Sequence, residues 1–428
     1  MRALYELGAA ELAPMLERRE VSAEQLARAC LERIAEREPV VHAFAHMDPE
    51  RALAGARALD RAAARGPLHA LPVGVKDIID TFDYPTEHGS PIYAGNRPAA
   101  DAPCVALARA AGALALGKTV TTEFATFPPG PTTNPHNPAH TPGGSSSGSA
   151  AAVADRMLPL AFGTQTGGSI IRPAAFCGIV GYKPSFGLLP RVGVKAISDS
   201  LDTVGVFARS VEDAALFAAA LSRRDALRIP RELRAPRVGL CLTPQWPAAQ
   251  PETQKLFEDI GGHLARSGAR VTRVALPPEF DALADLHATI WDFEIARCLA
   301  DEHLRHRDRL REPLRGQLAR GWAVSADAYD AAQRTVRSCR HKLADALRDC
   351  DALVVPAAPG EAPAGLGSTG DSVFNRMWTL LHAPCVCVPV GRGPLGLPLA
   401  VQVVGRIGED ARALACAHWI QLSEARRF

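Results

Sequence analysis

Apolar positions recur at two different spacings along this chain, and the change of spacing divides it. Over the first seventy residues the spacing is helical. Ser22 and Gln25 stand in capping-box spacing before Leu26, Ala29, Cys30 and Ile34, which predicts a helix starting near Ser22. Glu38-Pro39 is expected to end it. Asp48 as N-cap with Pro49 at the first helical position predicts a second helix, running through an Ala-rich segment to Gly66-Pro67. At Leu71 the pattern shortens: Leu71-Pro-Val-Gly-Val-Lys-Asp-Ile-Ile-Asp80 is β-branched and apolar, and reads as a buried strand carrying one lysine. A helix over 101–111 and a strand over 113–116 follow, and the Pro- and Gly-dense stretch 127–144 admits neither helix nor central strand.

Two glycine-serine loops come next, flanking a short apolar stretch. The first sets Gly143 and Gly144 before Ser145, Ser146 and Ser147, with a helix expected over 149–155; the second, after another strand, sets Gly167 and Gly168 before Ser169. Short strands and turns fill 176–206, and beyond Ser210 the chain reads as α/β units and a long helical region to about Cys350. Asp351-Ala-Leu-Val-Val-Pro356 and Leu399-Ala-Val-Gln-Val-Val404 look like buried strands returning to the same sheet. The expected fold class is therefore α/β: a single large α/β/α domain with a mixed central sheet covered by helices on both faces. Its expected parts are a helical segment 1–70 packed on the core, a core 71–210 carrying both loops, a region 211–350 bearing specificity, and strands and a helix over 351–428 that complete the sheet.

Composition narrows the function. A net charge of +2, from 48 basic and 46 acidic residues, with no basic run interleaved with aromatics, argues against nucleic acid or an anionic membrane as partner. The N-terminus carries acids where a signal peptide would be apolar, and no long uncharged apolar span occurs, so a soluble cytoplasmic protein is expected. Ten scattered cysteines are not a disulfide framework. Cys385 and Cys387 share one strand face without a second ligand pair, and none of the thirteen histidines falls in a metal-binding pattern; His303 and His306 sit in a charged, solvated stretch. No metal and no cofactor is expected.

Glycine before serine brings backbone N–H groups close to a reactive oxygen, as acyl transfer requires. A solvated linker is the competing reading, but the apolar flanks Ala150–Val153 and Leu158–Phe162 favour buried loops. A phosphate cradle would need a lysine after its last glycine, and Ser147-Gly148-Ser149-Ala150 has none. No histidine with local support stands near either loop. Lys76 is the candidate base, since its apolar flank would favour a neutral amine. The alternative is a lysine paired with Asp77.

Pro72-Val-Gly-Val-Lys76-Asp77, Pro142-Gly-Gly-Ser-Ser-Ser-Gly-Ser-Ala150 and Gly163-Thr-Gln-Thr-Gly-Gly-Ser169 resemble the signature of the amidase signature hydrolases in order and spacing. The likeness spans roughly 20–210 and resumes over 351–405, where Asn375-Arg-Met-Trp-Thr-Leu belongs to the closing segment. The resemblance implies Ser169 as nucleophile, Ser145 as a bridging serine after a cis peptide bond, Lys76 as terminal base, and an oxyanion hole from the N–H groups of Thr166, Gly167, Gly168 and Ser169. It implies a substrate site around Arg172, Gly144, Ser146 and Gln165, with Ser146 and Ser147 also supporting the loop. Two positions depart from the commonest family pattern: Gln165 stands where an acid is usual and Ile171 where an arginine is usual, the arginine coming one place later at Arg172. That resembles the malonamidase-like branch, in which such an arginine engages a substrate carboxylate; a structural pairing of Arg172 with Asp199 or Asp202 is the alternative. The expected reaction is hydrolysis of a small linear amide through an acyl-enzyme, and the enzyme could form a homodimer. Urethane, ester or allophanate-type hydrolysis, or a glutamyl-tRNA amidotransferase A-like subunit, are the other outcomes.

Overall fold

The computed structural model describes residues 2–63 and 66–425. Among them, eleven strands join one mixed sheet: β1 (Phe44–Met47), β2 (Pro72–Lys76), β3 (Leu114–Thr119), β4 (Leu160–Gln165), β5 (Val180–Lys183), β6 (Thr203–Ala208), β7 (Arg237–Leu240), β8 (Arg270–Arg273), β9 (Ala352–Pro356), β10 (Cys385–Arg392) and β11 (Pro398–Val404). Their order is β1-β3-β2-β4-β6-β5-β10-β11-β9-β7-β8. Strands from both ends of the chain thus meet near the middle, where β5 pairs antiparallel with β10.

Burial follows position in this order. Every residue of β2, β3, β4 and β6 is buried, as strands need to be when helices cover both faces, whereas the edge strand β8 is largely exposed. Helix Ser147–Ala154 is made of small residues because its N-terminal turn lies against backbone: a side chain on Gly148 would strike Ala43 O and Val120 N. Helices Val211–Ser222 and Asp410–Ala425 pack on each other and on β6 and β10, with Phe162 and Phe217 meeting edge to face at 4.9 Å.

The N-terminal region departs from the pattern-based reading in three ways. Its helix Ala23–Val41 begins at Ser22 with the expected reciprocal cap, Gln25 N to Ser22 Oγ at 3.0 Å and Ser22 N to Gln25 Oε1 at 2.9 Å, but it passes through Pro39. The last turn survives because His42 N bonds to Glu38 O and the Glu38 carboxylate accepts from Ala43 N and Phe44 N. The second helix stops at Arg61, and residues 64–65 of its expected course lie outside the described residues. The segment also adds helix Ala9–Glu17 and an edge strand, β1, whose four residues carry no clear alternation because none is fully buried. Arg33 and Arg37 grip the buried Asp155 carboxylate at 2.6 and 2.8 Å, fixing this segment to the core behind the first glycine-serine loop.

Candidate functional site

Parallel pairing of β2 with β4 brings the carboxyl ends of two buried strands to the same edge of the sheet, where open α/β sheets hold their ligands. Lys76 is the last residue of β2 and Thr164 the penultimate residue of β4. The Lys76 amine accordingly reaches Thr164 Oγ1 at 2.7 Å and Ser145 Oγ at 2.8 Å, and the residue is fully buried. Burial holds the Lys76 pKa well below the ordinary lysine range; the Asp202 charge opposes this and the Arg172 charge adds to it. Asp77 is not its partner. That carboxylate turns to the buried Lys118, 2.9 Å away.

The first loop is shaped by contact with the second. Gly143 has φ +81°, and a Cβ there would lie 2.7 Å from Pro173 Cα, so only glycine fits. The Gly144–Ser145 peptide is cis. Ser145 O accepts from Thr122 N at 3.2 Å, and Ser147 Oγ reaches Val120 O. Ser146, expected near substrate, is instead buried with its hydroxyl spent on the backbone of Thr164.

The second loop joins β4 to helix Ile171–Cys177. Gln165, also expected to meet substrate, is fully buried and committed at both ends. Its Oε1 accepts from Ile170 N at 2.8 Å and Ile171 N at 3.0 Å, while its Nε2 donates to Thr379 Oγ1 at 2.9 Å. An amide does what a carboxylate at this place would do for two N–H groups, and it adds a donor for Thr379. Among the described residues nothing accepts from the backbone N–H of Thr166, Gly167, Gly168 or Ser169. Orphaned N–H groups in buried backbone are rare, and four in succession are donors of the kind an oxyanion could accept from. A Cβ on Gly168 would come within 2.6 Å of Ser372 Cβ, so the loop needs glycine to lie beneath the 372–375 turn. Ser169, only 8% exposed, has a hydroxyl with no hydrogen-bond partner among the described residues.

Charged groups surround these serines without pairing. Arg172 is buried and meets neither Asp199 nor Asp202; its Nη2 donates to Gly144 O at 2.6 Å and Thr369 Oγ1 at 3.0 Å, and its Nε has no hydrogen-bond partner among the described residues. Burial brings its pKa down to about 10, so it stays a cation at neutral pH. Asp202 accepts from Thr166 Oγ1 at 2.5 Å and from Ile197 N and Ser198 N, and burial pushes its pKa up to about 6. His287, from helix Leu283–Cys298, donates from Nε2 to Thr166 O at 2.9 Å; burial lowers its pKa to about 4. Neither Thr164 nor His287 stands out in the sequence. Thr379 and Arg376 lie inside a matched segment that assigns them no role. Among the described residues no group of His, Cys, Asp or Glu could hold a metal ion, and no helix is long and apolar enough to cross a membrane.

Three comparisons bear on this arrangement. Residues 25–414 match the amidase family. The chain is 35% identical over 96% of its length, and 93% of the relative's, to a glutamyl-tRNA(Gln) amidotransferase subunit of Acidothermus cellulolyticus. Among solved structures, one described as an amidase superposes with a TM-score of 0.89 at 31% identity, covering 97% of this chain and 99% of the other. The native peptide amidase of Stenotrophomonas maltophilia does so with a TM-score of 0.83 at 31% identity, covering 97% and 96%.

Proposed function

This chain belongs to the amidase family, and from that premise we propose that it hydrolyses a small linear amide through an acyl-enzyme on Ser169, with Ser145 as proton bridge and Lys76 as terminal base. One observation carries the reading: a buried lysine with no carboxylate partner, its amine 2.8 Å from Ser145 Oγ. A neutral Lys76 takes the Ser145 proton as Ser145 takes that of Ser169, and the Ser169 oxygen attacks the amide carbon. The carbonyl π electrons move to oxygen, where the free N–H groups of Thr166, Gly167, Gly168 and Ser169 are available to hold the charge, each such donor contributing about 3 kcal/mol in the transition state. Collapse breaks the carbon–nitrogen bond, and the proton returns from Lys76 through Ser145 to the leaving amine. Water then attacks the ester by the same relay run again, and the acid and free Ser169 result.

Arg172 supports a carboxylate-bearing substrate, as in the malonamidase-like branch. It is a buried cation that makes no salt bridge among the described residues, Asp371 acting on it only through its charge, and a planar guanidinium suits a carboxylate. Gly144, whose carbonyl already holds Arg172, frames that position, while Ser146 and Gln165 act through the loops. The ten free cysteines, nine of them buried, fit a reducing cytosol. Urethane, ester and allophanate-type substrates remain within the same chemistry.

The test is turnover of neutral amides such as propionamide beside acid-bearing ones such as succinamate by the parent, Ser169→Ala and Lys76→Ala. Loss of turnover in both variants with the fold retained supports the triad; equal turnover by all three removes it. A second reading is favoured by the full-length likeness to a component of a glutamyl-tRNA(Gln) amidotransferase: a glutaminase that works only with partner subunits. Glutamine hydrolysis confined to a co-purified complex would choose it.

A further inference from the structure

Three of the free N–H groups of the second loop, those of Gly167, Gly168 and Ser169, belong to peptide planes whose carbonyls are each held from behind. In a trans peptide the C=O of one residue and the N–H of the next point in opposite directions, so anchoring the first aims the second. Thr166 O accepts from His287 Nε2 at 2.9 Å, which aims Gly167 N–H. Gly167 O accepts from Thr379 Oγ1 at 2.8 Å, which aims Gly168 N–H. Gly168 O accepts from Arg172 N at 2.9 Å, which aims Ser169 N–H. The first two anchors are side chains from helices Leu283–Cys298 and Val373–Leu380, more than a hundred residues away from the loop in sequence.

We infer that His287 and Thr379 are positioning residues of the oxyanion hole, each orienting one glycine N–H through the carbonyl behind it; the inference rests on the reading of Ser169 as nucleophile. Glycine makes such anchors necessary. Gly167 and Gly168 have no side chains to hold their planes, and their backbone would otherwise rotate freely. Each anchor is itself fixed. The Thr379 hydroxyl accepts from Gln165 Nε2, so its single proton goes to Gly167 O rather than to Asn375 O at 3.3 Å in its own helix. The His287 ring lies edge-on to Trp291 at 5.7 Å, and Trp291 packs on Phe127 at 5.5 Å. With Nε2 facing a carbonyl, the neutral ring must carry its proton there. Asp202 holds Thr166 by its hydroxyl from another side, so residue 166 is pinned at two atoms.

Paired variants separate aiming from packing. Thr379→Val and His287→Leu remove the donor, whereas Thr379→Ser and His287→Gln keep one at nearly the same place. The readout is inactivation by a fluorophosphonate probe, with intact mass locating the label and Ser169→Ala as control. The expected result is that Thr379→Val and His287→Leu lower the limiting inactivation rate about 10- to 100-fold with the probe's apparent affinity unchanged, as loss of part of one oxyanion donor should. Thr379→Ser and His287→Gln should stay within about threefold of the parent. Equal losses in donor-keeping and donor-lacking variants, or no loss in Thr379→Val, would overturn the inference while leaving the nucleophile standing. Labelling that persists in Ser169→Ala, or a parent that takes no label, would instead overturn the reading beneath it. Should His287→Leu fail to fold, the Thr379 variants decide alone, since Thr379→Val exchanges only the hydroxyl for a methyl and Thr379→Ser keeps the hydroxyl.

Discussion

Replacing Lys76 by methionine tests whether the folded protein holds a neutral amine. Methionine fills a similar volume and carries no proton, so the variant keeps the packing of β2 while removing one titration. Lys76 is fully buried, lies against two hydroxyls and meets no carboxylate, and its pKa is held well below the ordinary value. In the unfolded chain it returns to about 10.4. Between the two values the unfolded state binds a proton that the folded state does not. Folding stability therefore rises with pH by about 1.4 kcal/mol per unit, and levels off above the unfolded pKa. All other groups titrate alike in parent and variant and cancel in the difference. Equilibrium urea unfolding of both proteins at pH 7.5, 8.5 and 9.5 should show the parent gaining on Lys76→Met as pH rises, by at most about 1.4 kcal/mol per unit. Activity should fall by roughly 10²- to 10⁴-fold, the usual worth of a general acid–base group. A stability difference that stays flat with pH would mean that Lys76 is charged in the folded protein, and the relay would lose its base.

Asp202 gives the opposite sign. Its pKa is raised to about 6, so its contribution to stability is present below about pH 3.9 and is lost as pH rises through about 6. The parent should lose about 2 kcal/mol relative to Asp202→Asn between pH 4 and pH 7, since an unfolded Asp is already about half ionised at pH 4; thermal melts at the two pH values measure it, and a constant gap refutes the shift. Arg172→Ala should raise KM for succinamate at least tenfold and leave propionamide within about twofold, as loss of a charge-assisted hydrogen bond worth about 1.5–3 kcal/mol requires. Parallel changes for both substrates would retire the carboxylate role.

How far the sequence could be read depended on how local each signal was. The strand carrying Lys76 and the capped helix from Ser22 were legible because their determinants lie within ten residues of one another. The helix through Pro39 was not. Its continuation depends on Glu38 reaching forward to Ala43 N and Phe44 N, a contact that no propensity contains. The same holds at the site. The three blocks with Lys76, Ser145 and Ser169 stand out, whereas His287 is a lone histidine on a helix without a recognisable pattern, made useful by a bond across 121 positions. Gln165 is visible as a departure, but its sequence context suggests a substrate contact that the fold does not make. Its role lies in bonds to Ile170 N, Ile171 N and Thr379 Oγ1, which require the folded loop.

The charged groups around the serines also predict how substrate and base influence one another. Arg172 lowers the proton affinity of Lys76, and among the described residues it makes no salt bridge. A substrate carboxylate seated on Arg172 would cancel that charge, and Lys76 would become more basic at the moment it must take a proton from Ser145. The sign can be followed in the pH profile. In the proposed relay activity requires neutral Lys76, so the acid limb of kcat marks its pKa in the complex, and a higher pKa moves that limb to higher pH. Succinamate should therefore show its acid limb at higher pH than propionamide in the parent, and Arg172→Ala should bring the two limbs together. Limbs that coincide in the parent would mean either that the carboxylate lies elsewhere or that Lys76 is not the group titrated; the stability slope of Lys76→Met distinguishes these, because it reads the lysine without substrate.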